Sequence, residues 1–259
     1  MLNQPRHNRR EIFRRQFIYI TSVVFLSLVL SAFNVVRVNT ITLTSADGLE
    51  ITADEYVVSD TLPYILLFHE QESSRGEFQT IAQRLCKMDY NCLAVDLRNG
   101  GNNNNISNET AKACRESRCN KGVVDIENDM IAAIDYITSK SKFPVVLFGS
   151  GANGSLSLKL SEENIQVKAV LALSPGEYFL PSINIQEAIA DINKPVFITS
   201  SQQEAPFVKQ LSSGISGEYL TLFEPQLSEG GRGSLALSSE NPYNSEYWLA
   251  LILFFKELI

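Results

Sequence analysis

The chain has 259 residues, 44% hydrophobic and 20% charged, which suffices for one full domain with a sizeable core plus a short appendage. Residues 1–37 carry six of the 22 Lys+Arg and one of the 29 Asp+Glu, so the remainder has a formal charge of −12. This acidity excludes the basic surface typical of nucleic-acid binding, and we expect no nucleic-acid partner.

The N-terminal segment predicts a membrane anchor. Residues 16–36 contain no charged side chain, and an arginine-rich stretch precedes them. The arginines are Arg6, Arg9, Arg10, Arg14 and Arg15. A long apolar run behind a basic flank is typical of a transmembrane helix whose N-terminus stays in the cytoplasm.

We therefore expect a cytoplasmic basic tail over 1–16, a transmembrane anchor or signal segment over 17–36, and an extracytoplasmic domain over 38–259. The domain would be periplasmic in a Gram-negative cell. Cleavage after Ser31, which would secrete the domain, is an alternative, although no A-x-A site stands there. A buried core helix is a third interpretation, but it leaves the preceding arginines unexplained.

The rest of the chain predicts an α/β fold. Residues 38–58 alternate apolar and polar side chains on both sides of Asp47-Gly48, which indicates a β-hairpin with a two-residue turn. From Pro63 onward, short apolar runs alternate with helical stretches, as in a mostly parallel sheet flanked by helices. Strands are predicted over 63–69, 91–97, 144–148, 167–173, 195–200 and 218–223. Five helices are predicted: one over 77–88, one over 125–138, one after residue 150, one from about Ala205, and a last one over 245–258. The last helix is too short for a membrane span.

The segment 98–123 has no clear periodicity and predicts an irregular loop. It contains the run NGGNNNN and two N-x-[ST] triplets, headed by Asn105 and Asn108; a third is headed by Asn153. These triplets are glycosylation acceptors only in a cell that glycosylates exported proteins.

All four cysteines lie between residues 86 and 119. Export would permit disulfides, and sequence proximity favours Cys114 with Cys119 and Cys86 with Cys92. Free, partly buried thiols are the alternative. The spacing matches no zinc-ligand pattern, and we expect no metal or cofactor.

The segment PVVLFGSGANGSLSLKL, residues 144–160, reads as a strand, a glycine-rich turn and the start of a helix. This is the pattern of a nucleophile elbow, in which a sharp turn exposes one side chain above a sheet. The central position here is Gly151, flanked two residues away by Gly149 and Asn153. The chain's two histidines, His7 and His69, both precede the elbow, whereas a Ser-acid-His triad on this fold has its histidine downstream.

Several segments together resemble the dienelactone-hydrolase-like branch of the α/β-hydrolases. They are PYILLFHEQESSRGEFQTIAQRL, DYNCLAVDLRNGG, the elbow, PVFITSSQQEAP and GGRGSLAL, and the resemblance covers residues 42–259. It implies an α/β-hydrolase fold with a degenerate catalytic triad. The degenerate elbow is Gly149, Ser150 and Gly151.

The resemblance also assigns positions to the other site residues. The backbone amides of Glu70 and Ala152 stand where the oxyanion-hole donors are expected. The Glu70 side chain either faces this site or points to solvent. Glu204 stands at the acid position and Arg232 at the histidine position, and we expect an ion pair between them unless both lie on the open surface.

The remaining candidates for catalysis are weak. The resemblance implies that His69 shapes a turn through backbone hydrogen bonds and is not the general base. Ser150 lies next to the elbow's centre and Ser155 lies within the following helix, but no downstream histidine can activate either.

These observations predict a pseudoenzyme: an anchored, extracytoplasmic binding or interaction domain, with a small molecule or a protein as ligand in the degenerate pocket. The alternative is a hydrolase of ester or related acyl substrates with an unconventional nucleophile such as Ser150. A third possibility is a structural domain that contacts a membrane partner through its acidic surface or its Asn-rich loop.

Overall fold

A computed structural model describes residues 35–258, and its central element is a sheet of eight strands. The strands are β1 Arg37–Thr44, β2 Glu50–Val57, β3 Tyr64–Phe68, β4 Asn91–Val95, β7 Val145–Ser150, β8 Val167–Leu173, β9 Val196–Thr199 and β10 Leu220–Phe223. Their order in the sheet is β1-β2-β4-β3-β7-β8-β9-β10; β1 and β2 pair antiparallel, as do β2 and β4, and all other neighbours are parallel. The predicted α/β fold with a mostly parallel sheet is confirmed.

Seven α-helices are described between residues 35 and 258. They are α1 Gln79–Cys86, α2 Glu109–Ser117, α3 Val123–Lys140, α4 Gly151–Glu163, α5 Ile185–Ala188, α6 Ala205–Leu211 and α7 Asn244–Glu257. Two 3-10 turns, Arg75–Phe78 and Gly233–Leu237, lie beside the site described below.

The apolar strands are continuous because both faces of the sheet are covered. In β3, Leu66 and Phe68 belong to a core on one face, which includes residues of α3. Ile65 and Leu67 belong to a second core on the opposite face, which includes residues of α1 and α7. A strand covered on both faces gains burial from every side chain, so its sequence shows no polar alternation.

The predicted hairpin is present, but its turn is longer than the expected two residues. Pairing ends at Thr44 and Glu50, and Ser45 and Leu49 are joined by a backbone hydrogen bond of 2.9 Å. Asp47 also makes a contact outside the turn: its carboxylate accepts a hydrogen bond of 2.7 Å from Arg98.

The segment expected to be an irregular loop contains ordered structure. β5 Asn102–Asn103 and β6 Ile106–Ser107 form a two-stranded ribbon, and α2 follows directly. Asn108 caps α2 by accepting a hydrogen bond of 2.7 Å from the Ala111 amide. The two strands of the ribbon have two residues each, which is too short for a periodic pattern to reveal them.

One of the two disulfides favoured from the sequence is formed. Cys114 and Cys119 are bonded and connect the end of α2 to the following loop. The pairing of Cys86 with Cys92 was wrong: both are buried free thiols. Cys86 ends α1 and Cys92 lies in β4, where both pack as small apolar residues in the second core.

The expected anchor over 17–36 and the tail over 1–16 lie almost entirely outside the described residues. Within 35–258, no helix combines the length and the apolar character needed to cross a bilayer. α7 is an ordinary terminal helix, and its Trp248 and Leu251 are buried in the second core.

A buried arginine joins the hairpin to the sheet and to α3. The Arg98 side chain is 0% exposed and forms an ion pair of 2.7 Å with Asp129, which is also 0% exposed. Its guanidinium also donates to Asp47 and Ser45 in the hairpin turn and to the Asn120 carbonyl. The hydrogen bond from Arg98 lowers the pKa of Asp47 to about 2.

We predict that Arg98→Met lowers the free energy of unfolding by about 3–5 kcal/mol, because it leaves the buried Asp129 carboxylate without its partner. Arg98→Met combined with Asp129→Leu should cost less than the single change, because neither charge remains buried. Urea unfolding followed by circular dichroism measures both. Arg37→Met is the control, because Arg37 is 64% exposed in its ion pair with Asp60. If Arg98→Met lowers the free energy of unfolding no more than Arg37→Met does, the buried Arg98 does not stabilise the contact between the hairpin and α3.

Candidate functional site

The turn between β7 and α4 has the backbone of a nucleophile elbow. β7 ends at Ser150, and Gly151 begins α4 with a φ of +55°, a left-handed conformation that favours glycine. A β-carbon on Gly149 would lie 2.6 Å from the Gly154 Cα, so the close approach of strand and helix also requires glycine. Asn153, the other flanking residue, is buried and donates a hydrogen bond of 2.6 Å to the His69 carbonyl.

The Glu70 carboxylate fills the space in front of this elbow. A β-carbon placed on Gly151 would overlap both carboxylate oxygens of Glu70. The Glu70 side chain is 26% exposed, so the alternative in which it points to solvent is wrong. A carboxylate therefore lies where the nucleophile of an elbow would begin.

The first turn of α4 accounts for this position. Ala152 donates its backbone N–H to Glu70 Oε1 at 3.4 Å, and the unpaired amides at a helix N-terminus favour a negative charge. Ala152 is the donor that the sequence predicts at the oxyanion position. In this structure its N–H faces a carboxylate of the protein itself.

The Glu70 N–H is not free to act as the second oxyanion donor that the sequence predicts. It donates to Glu77 Oε2 at 2.8 Å, so its hydrogen is already used. Glu77 belongs to the 3-10 turn Arg75–Phe78, which packs next to β3 and β4. The side chain of Glu70, and not its N–H, is what this residue contributes to the pocket.

Burial raises the pKa of Glu70 above the ordinary glutamate value, and the nearby Glu77 acts in the same direction. The positive charge of Arg232 and the backbone amides of Ala152 and Gln71 oppose this rise without cancelling it. The pocket thus holds a carboxylate that protonates more readily than an exposed one.

Arg232 and Glu204 form the ion pair that the sequence predicts. Arg232 Nη1 lies 3.7 Å from Glu204 Oε1, and Arg232 Nη2 lies 3.7 Å from Glu70 Oε2. The Arg232 side chain is 55% exposed and also donates to the Tyr178 hydroxyl at 3.3 Å. Burial lowers the pKa of Arg232, but its electrostatic interactions with Tyr178, Glu70 and Glu204 raise it overall, and the guanidinium cannot take up a proton.

Hydrogen bonds fix Glu204 from the other side. Its Oε2 accepts from the Ser174 hydroxyl at 2.9 Å and from the Ser201 hydroxyl at 2.7 Å. The Ser174 oxygen in turn accepts the Gly233 N–H at 2.8 Å, which connects β8 to the turn that carries Arg232.

His69 is buried and fully engaged. Its Nε2 accepts the Leu97 N–H at 2.9 Å, and its Nδ1 lies 2.7 Å from the Glu70 carbonyl oxygen, to which it donates. Both ring nitrogens thus serve backbone groups, as expected for a turn-shaping residue.

The two serines near the elbow differ. Ser155 Oγ donates to the Gly176 carbonyl at 2.8 Å and lies inside α4. Ser150 Oγ is buried, borders the pocket and accepts the Ser234 N–H at 3.1 Å. Among the described residues, no side chain accepts a hydrogen bond from the Ser150 hydroxyl.

These residues surround a pocket of about 250 Å³. Its charged walls are Glu70, Glu77 and Arg232, and Leu235 forms part of its rim. Within residues 35–258, no group of three or more His, Cys, Asp or Glu side chains could hold a metal ion.

The family model of the dienelactone hydrolase family matches residues 53–219. The chain belongs to the dienelactone hydrolase family. No curated protein sequence matches it.

Solved structures of esterases and dienelactone hydrolases share the fold at low sequence identity. An esterase of Pyrococcus furiosus has 15% identity and a TM-score of 0.62, covering 86% of this chain and 91% of its own. A dienelactone hydrolase from Anabaena variabilis has 14% identity and a TM-score of 0.63, covering 85% and 95%. A dienelactone hydrolase-like promiscuous phosphotriesterase from metagenomic libraries has 15% identity and a TM-score of 0.59, covering 85% and 98%.

Sequence reasoning missed Glu77, Ser174 and Tyr178. For Glu77 a signal existed, because Ser74-Arg75-Gly76-Glu77 fits a capping box, in which Glu77 would bond to its own cap. In the structure Glu77 bonds to the Glu70 amide instead. Ser174 and Tyr178 follow β8, and no motif in the sequence indicates that they approach the turn at Arg232.

We predict that Gly151→Ala costs about 2–4 kcal/mol of stability in the wild type but only about 1–2 kcal/mol in a Glu70→Ala background. The smaller figure is the strain of a β-carbon at positive φ, and the remainder is the displacement of the Glu70 carboxylate. A double-mutant cycle by chemical unfolding measures the difference. Gly217→Ala is the control, because no atom lies within 4 Å of its added carbon. Equal costs in the two backgrounds would mean that Glu70 does not occupy this space.

Proposed function

We propose that this protein is a membrane-anchored member of the dienelactone hydrolase family that lacks triad chemistry and acts outside the cytoplasm as a binding or interaction domain. The observation that carries the proposal is the Glu70 carboxylate at Gly151. An acyl-transfer site must stabilise a developing oxyanion, and a fixed carboxylate in that position opposes it.

The other positions support the same conclusion. Arg232 stands at the histidine position and remains protonated, so it cannot accept a proton from a nucleophile. His69, the one histidine of the domain, is buried and bonded to backbone groups on both sides. Loss of triad members lowers the rate by about 10⁴- to 10⁶-fold on this type of site.

A hydrolase that uses Ser150 is the second candidate, because Ser150 borders the same pocket as Glu70 and Arg232. The fold is shared with esterases, and the Glu70 carboxylate, whose pKa is raised by burial, would serve as the proton acceptor. Against it, the Ser150 oxygen already accepts a backbone N–H, and its buried hydroxyl would need to turn toward that carboxylate.

We predict that the full-length chain neither hydrolyses short-chain nitrophenyl esters above the buffer rate nor reacts with a fluorophosphonate probe. Ser150→Ala should leave both results unchanged, with thermal unfolding used to show that the variant folds. Labelling of the wild type that Ser150→Ala abolishes would establish the second candidate.

A gain-of-function variant tests the assignment of positions. Gly151→Ser with Arg232→His and Glu70→Ala supplies a nucleophile, a base beside Glu204 and an emptied oxyanion site. We expect fluorophosphonate labelling of this triple variant. The matched control, Gly151→Ser with Arg232→His, should label far more slowly because the Glu70 carboxylate and the introduced side chain compete for the same space. Equal labelling of the two variants would contradict the role given to Glu70.

The location is part of the proposal and rests on the sequence. Residues 17–36 follow a basic flank, so the anchor would leave the N-terminus in the cytoplasm and the domain outside. A C-terminal alkaline phosphatase fusion should be active and remain in the membrane fraction after carbonate washing. Activity in the soluble fraction would instead indicate cleavage of a signal peptide.

A further inference from the structure

The strand β1 leaves one edge of the sheet open. It has eight residues and pairs with β2 over its whole length, and within residues 35–258 no other strand pairs with its outer side. Natural sheets protect such an edge with a short strand, a charge, a proline or a bulge, because an unpaired strand can bind another chain. At the opposite edge, β10 has only four residues and is followed by Glu224-Pro225. From Val38 to Thr44, β1 has none of these protections.

The contacts of β2 show which backbone groups of β1 point outward. Thr52 is the partner of Thr42; its N–H donates to the Thr110 hydroxyl at 2.9 Å, and its carbonyl accepts the Asp96 N–H at 2.9 Å. Both backbone groups of Thr52 thus point away from β1, so Thr42 and Thr52 form a non-hydrogen-bonded pair. In such a pair the N–H and C=O of Thr42 point to the open side of the sheet. Alternation along the strand gives those of Thr40 the same direction.

A groove lies beside this open edge, between β1 and α3. Its volume is about 390 Å³. On the α3 side it is lined by Ile131, Ala132 and Tyr136, which pack against the first core but stay partly exposed, and by the exposed Asp135. A strand added to β1 would turn every second side chain toward this groove.

The chemistry of this surface fits an extended polypeptide. N–H and C=O groups that repeat along an edge at every second residue are matched by the backbone of another strand, and the groove can select that strand's side chains. Asp135 is exposed at the groove, and residues 38–259 carry a formal charge of −12. A basic residue in the added strand would therefore be attracted to this surface.

A second copy of this chain is the other strand that could pair here. A two-fold axis that pairs β1 with itself makes the two strands antiparallel, so their Arg37 ends would lie at opposite ends of the joined sheet. In the proposed function the chain enters the domain from a membrane anchor that precedes Arg37. One membrane cannot hold two anchors that lead to opposite ends, whereas a strand from a different protein meets no such conflict.

We propose that the edge of β1 and the groove beside α3 bind an extended segment of a partner protein, with β-branched side chains at alternate positions and a basic residue near Asp135. The backbone of the segment pairs with the outward groups of Thr40 and Thr42, and its alternate side chains enter the groove. This inference rests on the proposed function for the anchored interaction domain. The surface shares no residue with the lining of the pocket at Gly151.

Fluorescence anisotropy with the detergent-solubilised full-length chain tests this with two labelled peptides. The first alternates valine and threonine between two terminal lysines, and the second differs by a central proline, which lacks the N–H needed in a strand. We expect the first peptide to bind and the second to bind at least about tenfold more weakly. Thr42→Pro should weaken binding of the first peptide by about tenfold, because it removes an outward N–H. Thr42→Val keeps that N–H and should bind as the wild type does.

A second pair of variants leaves β1 unchanged. Asp135→Lys should weaken binding of the lysine-ended peptide by about threefold, because it places a like charge at the groove. Glu218→Lys makes the same change of charge at an exposed position outside the groove and should bind as the wild type does.

Equal binding of the two peptides would overturn the inference, and so would a folded Thr42→Pro variant that binds like the wild type. If thermal unfolding shows that Thr42→Pro does not fold, Asp135→Lys decides, and binding equal to that of Glu218→Lys would overturn the inference. A wild-type dimer that binds neither peptide and that Thr42→Pro dissociates would assign the edge to a second copy instead. Ester turnover by the wild type would overturn the proposed function and not the peptide site, because the two are measured separately.

Discussion

A side chain on Gly151 and the carboxylate of Glu70 require the same space, and this exclusion organises the whole site. The elbow keeps its left-handed backbone and its close strand-to-helix contact, so the first amides of α4 still face the pocket. Because Gly151 has no side chain, the carboxylate of Glu70, which follows β3, can approach the N-terminus of α4 and accept the Ala152 N–H. The N-terminus of α4 at the elbow thus contacts a carboxylate of the protein itself.

The sheet brings the members of this site together from distant parts of the chain. β3 leads to Glu70 and β7 leads to Gly151, and these two strands are parallel neighbours. Glu204 follows β9, and Arg232 lies on the turn before α7. Because parallel strands end at one edge, their following loops meet above that edge, where ligands bind in open α/β sheets.

Charged contacts connect the loops at the carboxyl end of the sheet. Among residues 35–258, Arg232 is the one cation that contacts both Glu70 and Glu204, and Ser174 and Ser201 fix Glu204 by hydrogen bonds. Glu70 stays partly desolvated with a raised pKa, since the distant guanidinium only partly offsets its burial. The pocket lining combines the carboxylates of Glu70 and Glu77 with the guanidinium of Arg232, and within residues 35–258 no side chain accepts a hydrogen bond from the Ser150 hydroxyl.

The strands and the elbow could be predicted from the sequence, because periodicity and motif spacing determine them. Apolar runs predicted the strands, and the glycine pattern predicted the elbow, because both reflect local backbone requirements. The ribbon at 102–107 and the helix α2 were missed, because their stability depends on contacts with the 3-10 turn and the cap at Asn108. The direction of the Glu70 side chain depends on the distance between the loop after β3 and the turn between β7 and α4. No local sequence pattern specifies that distance.

Nuclear magnetic resonance of the ¹⁵N-labelled full-length chain tests the central claim most directly, through the Ala152 amide as a function of pH. The contact with Glu70 predicts that this resonance shifts with an inflection above the ordinary glutamate range, and that Glu70→Gln abolishes the shift. An Ala152 amide that does not respond to pH, or that responds equally in Glu70→Gln, would contradict a carboxylate seated at the elbow.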